Sequence, residues 1–209
     1  TRLMEGKLIS EFDHVLVTSE TDRTALLNLT LPGSIPSPVT VFSNGVDLEY
    51  FHPNPDVQKD PETLVFSGKM SYHANISMVK YLVREIMPKV WKKRSNVRLI
   101  VVGKDPSAEV RALGDDPRIE ITGTVDDIRP YLWKATIAVV PLVYGAGIQN
   151  KILEAMACGT AVVTTPKTLS SLHVTHGTEL LVASDADEFS ENILMLLENE
   201  QLQKKMGSV

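Results

Sequence analysis

Six short apolar runs, each followed by a segment of a different periodicity, limit what this chain can fold into. From residue 62 they read TLVFSG, VRLIVVG, RIEITGTV, TIAVVPL, AVVTT and ELLVAS. Each is rich in β-branched residues and short, as expected of a strand buried on both faces. The intervening segments have helical spacing. In HANISMVKYLVREIMPKVW the residues Ile76, Val79, Leu82, Val83, Ile86 and Val90 share one helical face, and Pro88 should kink that helix or begin a second short one. SAEVRALGDD predicts a short helix ending near Gly114, and DDIRPYLWKA a helix with Pro130 in or near its first turn. Glu188 to Met206 reads as one final helix. Strands alternating with helices predict an α/β fold, a doubly wound parallel sheet of about six strands. Right-handed crossovers would place every strand-to-helix loop on one edge, where ligands of such sheets bind.

The first 46 residues look different. EFDHVLVTSETDRTALLNL predicts a strand at His14 to Thr18 and then a helix, with Ser19 and Asp22 spaced as in a capping box. LPGSIPSP holds three of the twelve prolines and reads as a loop, and VTVFSNG as a short strand and a turn. One βαβ piece of this size is too small for a self-sufficient core. Residues 1–46 therefore read as the remnant of an N-terminal domain, 47–61 as a connector and 62–209 as the ligand-binding domain. The chain opens without an initiator Met and ends just after a helix, so a piece of a longer protein is expected.

Composition narrows the partners. A net charge of −5 argues against a nucleic-acid surface. The only dense basic run, KVWKKR at Lys89 to Arg94, reads as a solvated helix end, with membrane-surface contact as the alternative. A single cysteine, Cys158, cannot form an internal disulfide, suits a reducing compartment, and reads as a small packing residue. No apolar run reaches the roughly 20 residues of a membrane span, and no signal peptide is visible. A cytoplasmic location follows as an expectation.

The chemistry is expected in four loops. The foremost lies in YGAGIQNKILEAMACG, between TIAVVPL and AVVTT, where Gly145 and Gly147 precede a helix stopped by Gly159. A helix N-terminus there aims free N–H groups at the loop and suits a phosphate. Lys151 and Glu154 share a face of that helix. A surface salt bridge is the plain explanation, but Lys before Glu is the weaker order. Glu154 also sits in the apolar run ILEAMA, where a carboxylate needs partners. It could accept two vicinal ribose hydroxyls while the cation and N–H groups hold a diphosphate. In SGKMSYHAN, Gly68 would allow close backbone approach and Lys69 would supply a cation; an ordinary turn with an exposed lysine is equally compatible. GKDPS at Gly103 reads as a plain turn. In GTVDDI, Gly123 to Val125 could offer backbone groups to a base, with Asp126 or Asp127 capping the next helix.

Other patterns point away from chemistry. Asp185-Ala186-Asp187 resembles a metal motif but reads as a helix cap. The five histidines lack metal-ligand spacing, and no nucleophile elbow, phosphate loop of the GxxxxGKS type or GxGxxG is present.

NGVDLEYFHP, SGKMSYHAN, IVVGKDP, ITGTVDDIRPYL and GIQNKILEAMACGTAVVTT, in that order, resemble the retaining glycosyltransferases of family 4 with the GT-B fold. The subset of bacterial exopolysaccharide synthesis is the most similar. The resemblance implies two Rossmann-like domains, with residues 62 to about 205 as the C-terminal nucleotide-sugar-binding domain and 1–44 as the last unit of the other. Carried over by position, Glu154 is the second glutamate of the E-x7-E motif and would hold the ribose hydroxyls. Lys69 stands where an arginine meets the diphosphate. The first glutamate falls at Ala146 and is lacking, and a second basic residue is replaced near Asn75. Lys151 could restore that charge, while Gly147, Ile148, Gln149 and Asn150 would turn N–H groups to the phosphates. The implied reaction moves a glycosyl group from a nucleotide-sugar donor to a saccharide or lipid-linked hydroxyl acceptor, with retention. Lys69 and Lys151 would stabilise the leaving diphosphate without a metal or other cofactor. The acceptor site would lie in the N-terminal domain, so this chain alone should bind nucleotide and turn over little. A non-catalytic scaffold, favoured by Ala146, and a sugar-nucleotide epimerase of the same fold are the alternatives.

Overall fold

The structure is a computed structural model that describes residues 2–31, 33–144, 149–172 and 174–208. A short helix opens it (α1, Arg2–Leu8), not expected from the sequence because seven residues are too few to give a periodic signal. Then β1 (Val15–Val17), α2 (Glu20–Leu27) and β2 (Val39–Val41) form a two-stranded parallel ladder. The Ser19 hydroxyl accepts the Asp22 N–H at 3.1 Å, the first half of a capping box, and donates to the Asp22 carboxylate at 2.7 Å, so the acid meets the hydroxyl of Ser19.

The main sheet holds β3 (Asp60–Ser67), β4 (Arg98–Val102), β5 (Ile119–Gly123), β6 (Ala135–Val140), β7 (Ala161–Thr164) and β8 (Leu181–Val182). Their order is β5-β4-β3-β6-β7-β8, and every pair is parallel. Consecutive residues of β6 and β7 are all buried, so both faces of those strands are covered. The six-stranded parallel α/β fold expected from the alternation is the one observed.

Between β3 and β4 run α3 (His73–Tyr81), a π-helical turn (Leu82–Ile86) and α4 (Met87–Lys93). Pro88 cannot donate a helical hydrogen bond, so the chain widens: Met87 N–H reaches back to Leu82 O, and Pro88 sits in the first turn of a new helix. The basic run ends this segment and is partly paired, Lys89 with Asp187 at 2.6 Å and Arg94 with Glu62 at 2.9 Å.

Helices α5 (Ala108–Ala112), α6 (Arg129–Lys134) and α7 (Asn150–Ala157) follow β4, β5 and β6. Gly159, at a φ of 71°, ends α7 in the left-handed region as expected of a terminating glycine. One expectation fails at the C-terminus. Glu188 to Met206 is not a single helix but α8 (Ala186–Glu198) and α9 (Glu200–Gly207). Asn199 breaks it by leaving the helical backbone region and accepting the Leu202 N–H on its side chain at 2.9 Å. Asp185 caps α8, as its position in the sequence suggests, by accepting the N–H groups of Asp187 and Glu188.

The connector is pinned to the main sheet's layer. Arg129 of α6 lies 3.8 Å above the Tyr50 ring and donates to Tyr50 O, while Trp133 Nε1 donates to His52 O at 2.7 Å.

At the tips of β3 and β4 the backbones touch. Gly68 N–H donates to Val102 O at 2.9 Å, and a Cβ on Gly103 would lie 1.8 Å from Gly68 O. Gly103 also has a φ of 149°, which side-chain-bearing residues rarely adopt. The obstructing atom is backbone and cannot swing away. Gly103→Ala should therefore lower stability by roughly 2 kcal/mol or more in urea unfolding, at the upper end of ordinary overpacking. A change below about 0.5 kcal/mol would show that the two loops are free to separate.

Candidate functional site

Numbered from β3, the sheet runs 3-2-1-4-5-6, so the winding reverses between β3 and β6. The crossovers from those two strands run to opposite sides of the reversal, where such sheets have a crevice at the carboxyl ends of the strands. A cleft of about 570 Å³ lies there, and its walls come from the loops after β3, β4 and β5 and from the start of α7. A second cavity, of about 540 Å³, lies near Lys59, Thr136 and Gly159, at the amino ends of β3, β6 and β7. Size does not separate the two; position at the winding reversal favours the first.

Gly68, Lys69, Val125, Gln149, Asn150, Lys151 and Glu154 all line the cleft, as do Tyr72 and Asn75. Gly123 stands next to the lining, at a φ of 70° where β5 turns into its loop. Gly145, Ala146, Gly147 and Ile148 lie outside the described residues. Gly103 and Lys104 correct an expectation: they are part of the wall, not a plain turn elsewhere. The close approach of Gly103 to Gly68 brings the β4 loop against the β3 loop. No local motif announces this, but the rule that every carboxyl-end loop of a parallel sheet shares one rim does. Asp127 accepts the Arg129 N–H at 2.9 Å and pairs with its guanidinium at 2.7 Å, so it closes the turn into α6 and is committed to structure. The hydrogen-bonded Arg129 guanidinium holds the Asp127 carboxyl below its usual range.

Lys151 occupies the centre of the site. It leaves the first turn of α7, whose N-cap residue, Gln149, makes no side-chain cap among the described residues. Its ammonium donates to Asn75 Oδ1 at 2.6 Å and lies 4.3 Å from the centre of the buried Phe66 ring. A Cβ on Gly68 would come within 2.9 Å of it, so the glycine leaves room for the cation beneath the β3 loop. Asn75 Nδ2 in turn donates to Lys69 O at 2.9 Å, which fixes the amide with its oxygen toward Lys151. Lys151 and Glu154 form no ion pair among the described residues, so the plain salt bridge is not the arrangement found. Desolvation lowers the Lys151 pKa to about 7, against a smaller upward pull from the Glu154 charge. Glu154 is half-buried on the same helix face, and burial raises its carboxyl above the usual value while Lys151 opposes the rise. Lys69 is more open, 56% exposed, and its ammonium is 3.9 Å from Asp105. At that exposure the pair contributes little and leaves the lysine able to turn toward a ligand.

Cys158 is buried and its thiol is pushed up to about 11 by desolvation, which makes it an inert packing group. Among the described residues, no three His, Cys, Asp or Glu side chains converge as a metal site would. No helix among them is long and apolar enough to cross a membrane.

The family model of glycosyl transferases group 1 matches residues 61–199, about two thirds of the chain. The chain belongs to the glycosyl transferases group 1 family. No curated protein matches its sequence. Among solved structures it is similar to sucrose-phosphate synthase of Thermosynechococcus elongatus, with a TM-score of 0.79 and 22% identity over 99% of this chain and 54% of that one. A TarM variant of S. aureus in complex with fondaparinux, alpha-GlcNAc-glycerol and UDP gives a TM-score of 0.77 at 17% identity, over 97% of this chain and 40% of TarM. HepE of Anabaena in complex with UDP and glucose gives 0.73 at 18%, over 97% and 58%. At these identities the likeness is one of fold, that of GT-B glycosyltransferases. The chain spans about half the length of these three solved structures.

The depressed Lys151 value has a consequence for stability. An unfolded lysine keeps its proton up to about 10.5, whereas in the fold Lys151 releases it near 7. Between those values the unfolded chain binds the extra proton, so this group makes ligand-free stability rise with pH. Lys59, lowered to about 8 by burial, adds a similar rise at higher pH. The unfolding free energy should therefore climb between pH 7 and 9 in the native chain. It should climb less in Lys151→Met, by up to ~1.4 kcal/mol per pH unit. Equal slopes in denaturant titrations of the two proteins would place the Lys151 ammonium in water.

Proposed function

We propose that the cleft between the β3 loop and the start of α7 binds the donor of a retaining glycosyltransferase of family 4, a nucleoside diphosphate sugar. One observation carries this: at the winding reversal, two cations, Lys69 and Lys151, stand beside the uncapped start of α7, with Glu154 one turn further along it. Among the described residues Lys151 has no carboxylate within ion-pair distance, so a diphosphate would complete its shell and restore its charge. The Glu154 carboxylate would accept the two ribose hydroxyls, and the backbone around Val125 would meet the base. As the bond from sugar to phosphate breaks, charge develops on the leaving diphosphate, and Lys69, Lys151 and the α7 amides would stabilise it. The similar fold of TarM and HepE, both solved with UDP, agrees with this placement.

In this reading residues 1–46 are the end of an N-terminal domain that would carry the acceptor site, and 47–61 connect it to the donor domain. The acceptor would be a saccharide or lipid-linked hydroxyl in polysaccharide synthesis at the cytoplasmic face of a membrane. The separate chain would bind donor and transfer little. Ala146 favours a second reading, a scaffold domain without turnover, because the family's sugar-contacting glutamate is absent there.

Calorimetric titration of UDP, GDP and ADP into the chain tests the donor site. At least one should bind, and Glu154→Ala should weaken it by roughly 10- to 100-fold, the value of charge-assisted hydrogen bonds lost from a partly buried site. Binding that ignores the substitution would remove Glu154 from the ribose. Absence of binding by all three would favour the scaffold.

A further inference from the structure

At the edge of the nucleotide cleft lies a strip of three exposed rings; Tyr72 lines the cleft wall, and none of the three has a role in holding the nucleotide. Tyr72, which begins α3, is 53% exposed and Tyr144, at the end of the β6 strand's loop stem, is 41% exposed. His73 lies between them. Its ring is 4.8 Å from that of Tyr72 and stacks on Tyr144 at 5.5 Å, with 13° between the planes. The Tyr144 hydroxyl is bonded to His73 Nδ1 at 2.9 Å and to Ser77 Oγ at 3.1 Å, so these rings are held in place. Among the described residues nothing bonds the Tyr72 hydroxyl. A rigid aromatic surface left in water is costly, and such surfaces mark ligand sites.

The strip has a defined position along the cleft. Val125 follows β5, Lys104 follows β4, Lys69 and Tyr72 follow β3, and Tyr144 follows β6, in the spatial order of the strands. A ligand with its base at Val125 and its diphosphate at Lys69 and Lys151 would meet Tyr72 with whatever it carries beyond the phosphates. The order along the chain into α7 agrees: Glu154 at the ribose, Lys151 at the phosphates, Tyr144 further out.

We propose that Tyr72, backed by His73 and Tyr144, is a stacking platform for a pyranose ring at the diphosphate end of the cleft. One face of a pyranose presents polarised C–H bonds, which complement the electron-rich face of an aromatic ring. This assignment rests on the donor-site reading above and adds to it the residue that recognises the sugar. The pyranose is that of the donor or that of a saccharide acceptor, and the two are separated by the test.

Diphosphates and their sugar conjugates (UDP and UDP-glucose, GDP and GDP-mannose, ADP and ADP-glucose) are titrated into the native chain, Tyr72→Ala and Tyr72→Phe. Maltose is titrated into each protein saturated with the diphosphate that binds. Tyr72 is exposed, so both variants should fold. In Tyr72→Ala the ratio of sugar-nucleotide to diphosphate affinity should fall on the order of tenfold, and Tyr72→Phe should retain it. A loss confined to maltose binding would assign the platform to the acceptor. Unchanged ratios and unchanged maltose binding would overturn the proposal while leaving the nucleotide site intact. Failure of every diphosphate to bind would remove the donor site and the platform together.

Discussion

The site depends on an ammonium without a counter-ion. Lys151 is drawn out of water between the Phe66 ring and the β3 loop, and the group that receives it is a neutral amide, Asn75. A buried charge of this kind is unfavourable, and the downward shift of its pKa is the measure of that strain. Nearly every feature around it keeps the arrangement in place. Gly68 makes the room, Asn75 is oriented by the Lys69 carbonyl, and α7 packs against β6 and β7. An anion entering the cleft would relieve the strain, which ties the energetics of the fold to the recognition of a phosphate.

The sheet supplies the geometry and takes no part in the chemistry. Parallel strands carry their loops on one edge, and the reversal between β3 and β6 spreads two of those loops apart. Gly103 then joins the β4 loop to the β3 loop by direct backbone contact. Residues separated by more than 80 positions, such as Gly68 and Lys151, thereby come within contact distance without any local sequence signature linking them.

Much of this was legible before any coordinates. The β-branched runs specify the strands because continuous apolar residues suit only strands covered on both faces, and the terminating glycine of α7 and the caps at Ser19 and Asp185 are chemical statements about single positions. Lys151 and Glu154 could be singled out because a charged pair in an apolar helix needs an explanation. Other features were not legible. The contact of Lys151 with Asn75 is tertiary, between residues 76 positions apart. Asn199 splits the final helix through a cap that competes with an otherwise unbroken helical pattern. Gly103 and Lys104 looked like a turn because their role is set by which strand they follow. The rings of Tyr72, His73 and Tyr144 meet across two loops, and only the strand order shows that they are neighbours.

The protonation state of Lys151, followed by its side-chain NMR signals across pH with and without a nucleoside diphosphate, tests the central claim most directly. The account predicts a midpoint near 7 in the free chain, far below an ordinary lysine. It also predicts a rise of at least one unit when the diphosphate is bound, since two opposite charges in contact favour the protonated form. A midpoint near 10.5 that the nucleotide leaves unmoved would contradict it, because the ammonium would then lie in water and away from the ligand.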